Sequence, residues 1–459
     1  MKQYWFKQAY IDSGWAFGVT VVVDGHGVID TVRTNTLPQG AQIIEGLAIP
    51  GIPNSHCHAF QRAMAGLSEK ISVTNDSFWS WRTTMYEFAH QMTPDNQRAI
   101  AAQLYMEMLK SGYTSVAEFH YLHHQPSGEP YEDAAELSIS IIEAAQQAQI
   151  NLTLLPVLYT SSDFGGIEPQ PKQQMFVNTP AQYQKLLAGL VSRYGRLPGI
   201  GLGVAFHSLR AVSPGALTET LELLAHLDDS MPIHIHIAEQ TAEVEASIRW
   251  SGQRPVDWLM SNHPVNSRWC LVHATHLSDQ EARRIVESGA TVSLCPTTEA
   301  NLGDGFFPLM RYLELGGNIA IGSDSNTSVS PIEELRWLEY GQRLLTRGRN
   351  LSATSDSPHT GTRLFDKVLE GGARALGTQI GKISHGCMAD LLVLDSTSPH
   401  LYGKNMDDIL NALVFSGNSN MVRDVMCRGE WVVQDFRHKN EEAITAAYLQ
   451  ALDRLQSGF

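Results

Sequence analysis

His56, Cys57 and His58 follow an apolar run, Leu47, Ala48 and Ile49, that is broken by Pro50, Gly51 and Pro53. In an extended strand alternate side chains share a face, so histidines at i and i+2 aim the same way. Two imidazoles converging at a strand end chelate one divalent ion, and Zn²⁺ and Fe²⁺ both suit nitrogen ligands. Such a pair also arises by chance, so its meaning rests on ligands elsewhere. Three other strand-like stretches end in the same kind of residue: His234, His236 and Glu239; His273 and His276; and Gly322-Ser323-Asp324. Each has an ordinary explanation. A single histidine among 18 is usually a surface or hydrogen-bonded residue, and His90, His123, His124 and His263 are read that way. Asp324 could cap a helix, and Glu239 could be a first-turn carboxylate favoured by the helix dipole. Four strand ends carrying such groups in order favour a metal centre over four coincidences.

The elements that must position these groups show in the periodicity. Residues 1–50 hold short β-type runs bounded by turn residues such as Asp24-Gly25 and Pro38-Gln39-Gly40. From 51 to about 380 the pattern predicts strands over 114–120, 152–158, 201–206, 232–237, 269–272, 290–294 and 318–322. Between them lie helical stretches, among them 96–110 and 132–149, rich in Ala, Leu, Glu and Gln. With the strand ending at His56 this makes eight β-units, the repeat of a (β/α)8 TIM-like barrel, in which reactive groups sit where strands give way to loops. The segment 78–82 reads as a loop. After 380, strands over 389–395 and 429–433 precede a helix over 441–455. The two β-rich ends, 1–50 and 381–459, are expected to join into a small β-sandwich domain beside the catalytic barrel of 51–380.

With 43% apolar and 8% aromatic residues, the 459-residue chain has the composition of a globular enzyme. Its net charge of −15 argues against nucleic acid or an anionic membrane surface as the main partner. A local pair of arginines can still recruit a small anion. Five scattered cysteines and no CxxC point to a reducing, cytoplasmic setting. No run reaches the roughly 18 apolar residues of a membrane span, and the first residues lack the apolar core of a signal peptide. A homodimer is the base-rate expectation.

The motifs Pro50–His58, His236-Ile-Ala-Glu239, His273, Gly-Ser-Asp324 and Gly386-Cys-Met-Ala-Asp-Leu-Leu-Val393 resemble the amidohydrolase superfamily, specifically its mononuclear deaminase branch. The resemblance covers essentially the whole chain. It implies that His56, His58, His236 and Asp324 bind the metal, and that Glu239, His273 and Asp324 act in catalysis. Binuclear members carry a bridging lysine at the end of strand three or four. Here those ends read Pro156–Tyr159 and Ala205–Ser208, without lysine, so one divalent ion per chain is expected, Zn²⁺ in the first place and Fe²⁺ as the alternative. Water bound to such an ion becomes acidic enough to attack an sp² carbon attached to nitrogen.

Arginines near the strand ends narrow the substrate. A guanidinium grips a carboxylate in a bidentate fork, so two arginines suit a dicarboxylate better than a flat heterocycle. Arg62 is assigned to an ordinary ion pair. The stretches from His58 to Gly66, Trp79-Ser-Trp-Arg82, Glu118-Phe-His-Tyr121 and Phe206-His-Ser-Leu-Arg210 resemble those branch members that deaminate N-formimino-L-glutamate. By that resemblance Arg82, Tyr121 and Arg210 hold the carboxylates of a small anionic glutamate derivative, with Gln61 and His207 near the formimino group. The competing expectation is a deaminase of a guanine- or adenosine-like base. Cys57 is read as packing.

Overall fold

The computed structural model describes residues 1–70 and 77–456. Eight strands build the barrel in sequence order: Ile52–Cys57, Tyr113–His120, Asn151–Leu158, Val204–Ser208, Ile233–Ile237, Trp269–His273, Thr291–Leu294 and Asn318–Ile321. Neighbours pair in parallel throughout. The second, third and fifth strands are buried along their whole length, as expected where helices cover one face and barrel side chains the other. The strand expected over 201–206 is split into Ile200–Leu202 and Val204–Ser208. At Gly203 a Cβ would lie 2.5 Å from the Leu155 side chain and 2.9 Å from the Pro232 carbonyl. That close approach breaks the ladder.

The first and eighth strands close the barrel at the residues that carry its chemistry. The Asp324 amide donates to the His56 carbonyl at 3.0 Å, and the His58 amide to the Asp324 carbonyl at 3.0 Å. Side chains extend the seam: Asn54 Nδ2 donates to Ser323 Oγ at 2.7 Å and Ser55 Oγ to the Ile321 carbonyl at 2.8 Å. Gly322 permits the approach, since a Cβ there would sit 2.7 Å from the His56 carbonyl.

Helix Pro94–Ser111 begins at Thr93, whose hydroxyl accepts from the Asn96 amide, and ends at Gly112 with φ 112°. Helix Glu136–Ala148 starts four residues after the expected 132. The Asp133 carboxylate accepts from the Ala135 amide at 2.9 Å and holds the preceding residues in a turn. The expected loop over 78–82 is instead the start of helix Phe78–Ala89. Its Trp and Ser residues are modest helix formers, but Ser77 and Ser80 close a reciprocal capping box at its N-terminus. The helix brings Trp79, Arg82 and Tyr86 onto one face, which spacings of three and four residues dictate.

The chain ends form a second, eight-stranded sheet in which Lys2–Ile11, Gly14–Val23, Ile29–Arg33 and Gln42–Pro50 meet Leu391–Leu394, Val422–Cys427, Glu430–Gln434 and Arg437–His438. The two ends join where Leu391–Leu394 pairs antiparallel with Gln42–Pro50. Phe6, Val21, Ile383, Leu391 and Met426 bury one of its faces. The architecture is thus a (β/α)8 barrel with a small β domain built from both termini. Because Gln42–Pro50 runs into Ile52–Cys57 with one residue between, this sheet anchors the strand that carries His56 and His58. No helix among the described residues is long and apolar enough to cross a membrane.

Candidate metal centre and substrate pocket

The first, fifth and eighth strands bring His56, His58, His236 and Asp324 into one buried cluster. His56 Nε2 lies 3.2 Å from His58 Nε2 and 3.0 Å from His236 Nε2. Asp324 Oδ1 is 3.3 Å and 3.2 Å from the first two nitrogens. In a tetrahedral zinc site with Zn–N of about 2.0–2.1 Å, ligand atoms stand about 3.3 Å apart. The separations here match that spacing, and the opposite ring edges explain why. His58 Nδ1 bonds the Phe119 carbonyl at 2.9 Å, and His236 Nδ1 bonds the His207 carbonyl at 3.0 Å. Each carbonyl fixes the Nδ1–H tautomer and turns the Nε2 lone pair inward, the usual outer-shell device of histidine ligands. Burial pushes His56 down to about 3, so its ring is neutral and its lone pair free to ligate. Three inward lone pairs and a carboxylate oxygen repel one another unless a cation sits between them. The residues fit a divalent metal.

Beside this cluster lies a second set of groups. Glu239 Oε1 and Asp324 Oδ2 each stand 3.7 Å from His273 Nε2, while His273 Nδ1 is 3.3 Å from Glu299 Oε1. Burial opposes the charge on His273, but Glu239 and Glu299 outweigh it and raise the imidazole to about 10. These carboxylates favour the imidazolium form of His273. Burial lifts Glu239 to about 7, with the His273 charge restraining the rise. Burial also opposes ionisation of Asp324, yet its bonds to His56 and His58 hold it well below the usual carboxylate range. Asp304, carried by the loop after helix Pro296–Leu302, is pushed up to about 9 by burial and by Glu239. Backbone strain gathers at these strand ends. Ala238, His273, Ala274 and Asp324 have φ of 51°, 66°, 48° and 44°, left-handed values that non-glycine residues rarely adopt.

The expected substrate residues also converge. Gln61 Nε2 donates to Tyr121 Oη at 2.9 Å, and the buried Gln61 Oε1 has no partner among the described residues. The Tyr121 ring stands 5.0 Å from that of His58 and 5.7 Å from that of His207. The Arg82 guanidinium lies 4.5 Å from the Trp79 ring and 5.7 Å from that of Tyr86, with Arg210 5.9 Å from the same Trp79 ring. Arg210 is only 6% exposed, and neither arginine pairs with a carboxylate among the described residues. A buried guanidinium without an ion-pair partner is costly, so Arg210, buried with Glu243 and Glu239 near enough to favour its charge, and the half-buried Arg82 together suit an anion. Arg62 instead pairs with Glu107 at 2.8 Å, and Cys57 is buried with its thiol toward Asn326, 3.6 Å away.

Sequence reasoning missed Trp79, Tyr159, Glu299 and Asp304. Tyr159, which ends the Pro156–Tyr159 stretch and lies 4.9 Å ring to ring from His207, was visible at a strand end. Trp79, three residues before Arg82, was legible once the segment is taken as helical. Glu299 and Asp304 follow the seventh strand, where no histidine flags a site.

The barrel also holds a buried support. Glu118 accepts from the Ala59 amide at 2.8 Å and from Tyr105 Oη at 3.1 Å, which fixes the turn after His58. Burial pushes this carboxyl from 4.5 up to about 7 despite those bonds. A carboxyl whose pKa rises on folding contributes stability that is fully present below its unfolded pKa and lost as pH climbs through the folded one. Between pH 4.5 and 7 the parent should therefore lose about 1–3 kcal/mol relative to Glu118→Gln. Urea unfolding of both proteins at each pH measures this, and a pH-independent difference would contradict it.

A (β/α)8 barrel with three histidines and an aspartate at its strand ends defines a metal-dependent hydrolase. The amidohydrolase family model matches residues 47–432, and this chain belongs to the amidohydrolase family. It is 48% identical over 449 residues to the formimidoylglutamate deiminase of Pseudomonas aeruginosa, covering 98% of each chain. The 8-oxoguanine deaminase of the same organism is 28% identical over 393 residues, covering 85% of this chain and 82% of its own. Among solved structures, an amidohydrolase from Brucella melitensis superposes with a TM-score of 0.94 at 42% identity, over 99% of this chain and 100% of that one.

Proposed function

We propose that this chain hydrolyses N-formimino-L-glutamate to N-formyl-L-glutamate and ammonia, using one Zn²⁺ held by His56, His58, His236 and Asp324. The observation that carries the reading is the pair of arginines, Arg82 and Arg210, which form no ion pair among the described residues and flank Trp79 beside the His₃Asp cluster. Support comes from the 48% identity to a formimidoylglutamate deiminase along nearly the full chain. The bound metal supplies the Lewis acid that lets water deprotonate near neutral pH. Arg82, Arg210 and Tyr121 bind the glutamate carboxylates, and Gln61 and His207 orient the formimino group. Asp324 Oδ2 takes the proton of the attacking water. The His273 imidazolium stabilises oxygen charge as the formimino carbon becomes tetrahedral. Glu239, poised near neutrality, passes a proton to the terminal nitrogen, which leaves as ammonia. The carbon keeps its bond to the glutamate nitrogen, so the product is the formyl amide.

A substrate panel tests the assignment. The expected result is turnover of N-formimino-L-glutamate and none of guanine or adenosine, abolished by a chelator and restored by one equivalent of Zn²⁺. Comparable kcat/KM on a purine would instead select the base-deaminase reading.

A further inference from the structure

Asp304 lies outside every role assigned above, yet the fold takes trouble to hold it. It is 5% exposed. Its amide donates to the Glu299 carbonyl at 2.9 Å, and its own carbonyl bonds His276 Nε2 at 2.9 Å. Gln240, the residue after Glu239, donates to Oδ1. The His276 amide in turn bonds the Ala238 carbonyl at 3.0 Å. The loops after the fifth, sixth and seventh strands are thus stitched together around this one residue, through its carboxylate and its backbone. What the stitching leaves over is Oδ2, buried with no partner among the described residues. A carboxylate oxygen of Asp304 also lies within 4.8 Å of both the Glu239 carboxylate and a His273 ring nitrogen.

A buried carboxylate oxygen without a donor costs more than an ordinary hydrogen bond returns, and such groups persist where a ligand supplies the partner. The ligand must bring an N–H or O–H, and preferably positive charge. The substrate's two carboxylates cannot, and the arginines that suit them surround Trp79 instead. The formimino group can. An amidine is a stronger base than an alkylamine and carries a proton at neutral pH, so its terminal nitrogen arrives as a cationic NH₂ with two hydrogens. One can face Glu239, the group that delivers the departing proton, leaving the second hydrogen to be received.

We infer that Asp304 Oδ2 receives this second hydrogen and so makes Asp304 the residue that distinguishes the amidinium substrate from the neutral formyl product. The inference rests on the substrate reading above. It also explains how the product leaves. Hydrolysis replaces the terminal NH₂ by a carbonyl oxygen, an acceptor facing an acceptor, so the contact that favours substrate disfavours product at the same position. The protonated amidine and water become the formyl amide and ammonium, with no other reactant needed.

Burial and Glu239 favour the protonated form of Asp304 before substrate binds, and the cationic amidinium brought beside it favours the ionised form. Asp304→Asn tests the contact, because an amide keeps the size of the carboxylate and its contact with Gln240 but cannot ionise. The expected result is a rise of about tenfold or more in KM for N-formimino-L-glutamate, the size of one charge-assisted hydrogen bond. The dissociation constant of N-formyl-L-glutamate, measured by calorimetry on the zinc-loaded protein, should stay within about twofold or tighten. Gln240→Leu, which frees the carboxylate without removing it, should shift the same ratio in the same direction by less, and it carries the comparison if Asp304→Asn does not fold. Equal changes for substrate and product, or a fall in kcat with KM unmoved, overturn the assignment. If the parent protein turns over no N-formimino-L-glutamate, the substrate reading fails and this inference falls with it. Turnover by the parent with an unselective Asp304→Asn sinks the inference alone.

Discussion

Glu239→Gln is expected to lower kcat by about 10²–10⁴-fold, the range over which a positioned general acid–base group contributes. The structure gives reasons for so large an effect from one atom. Glu239 Oε1 stands 3.7 Å from His273 Nε2 and belongs to no metal-ligand set with the three histidines. Its carboxyl is lifted by burial to about 7, where giving and taking a proton are nearly balanced. An amide in its place has no acidic proton to pass to the leaving nitrogen. The metal site should be untouched, so metal analysis of the variant should still give one ion per chain, and KM should change little. Stopped-time ammonia release with metal content on the same preparation measures both. A fully active variant would remove Glu239 from the mechanism, while an inactive variant without metal would make its role structural.

Arg210→Met should raise KM by about 10–100-fold, since each charge-assisted hydrogen bond to a carboxylate is worth about 1.5–3 kcal/mol. Methionine fills a similar volume without leaving a charge buried, so stability should not fall. N-formyl-L-glutamate keeps both carboxylates, so its affinity should weaken in parallel, unlike the selective loss expected at Asp304. A second consequence concerns pH. The positive charge of Arg210 is among the causes that restrain Glu239. Removing it should move the Glu239 carboxyl further up, shifting the pH limb that reports it toward the alkaline side. Arg82, half-buried and stacked on Trp79, should show a smaller KM effect on the same substitution. An unchanged KM in both variants would mean that the carboxylates bind elsewhere.

The ligand cluster was legible because strand geometry is strict. Histidines two residues apart on a strand must share a face, and a strand end in a parallel barrel must face the common mouth, so spacing gathered the groups of four strand ends. The resemblance to the amidohydrolase superfamily singled out His56, His58, His236 and Asp324 among them. The fold class followed from the same alternation of strands and helices. Gly203 broke one strand because of what lies opposite it in space, which no local pattern contains. Helix Phe78–Ala89 escaped because its cap depends on a reciprocal Ser77–Ser80 pair rather than on strong helix formers. Glu299 escaped because it sits on a short helix, Pro296–Leu302, that no histidine flags, and Asp304 because loops obey no period. The position of Asp304 beside Glu239 and His273 is fixed by long-range bonds from Gln240 and His276, and that of Glu299 by its bond to His273.

The most direct test is product analysis of the zinc-loaded protein with N-formimino-L-glutamate as sole substrate. Ammonia and N-formyl-L-glutamate should appear together in equal amounts. Formamide with free glutamate would show that the other C–N bond breaks, and would contradict the proton path from Glu239 to the terminal nitrogen.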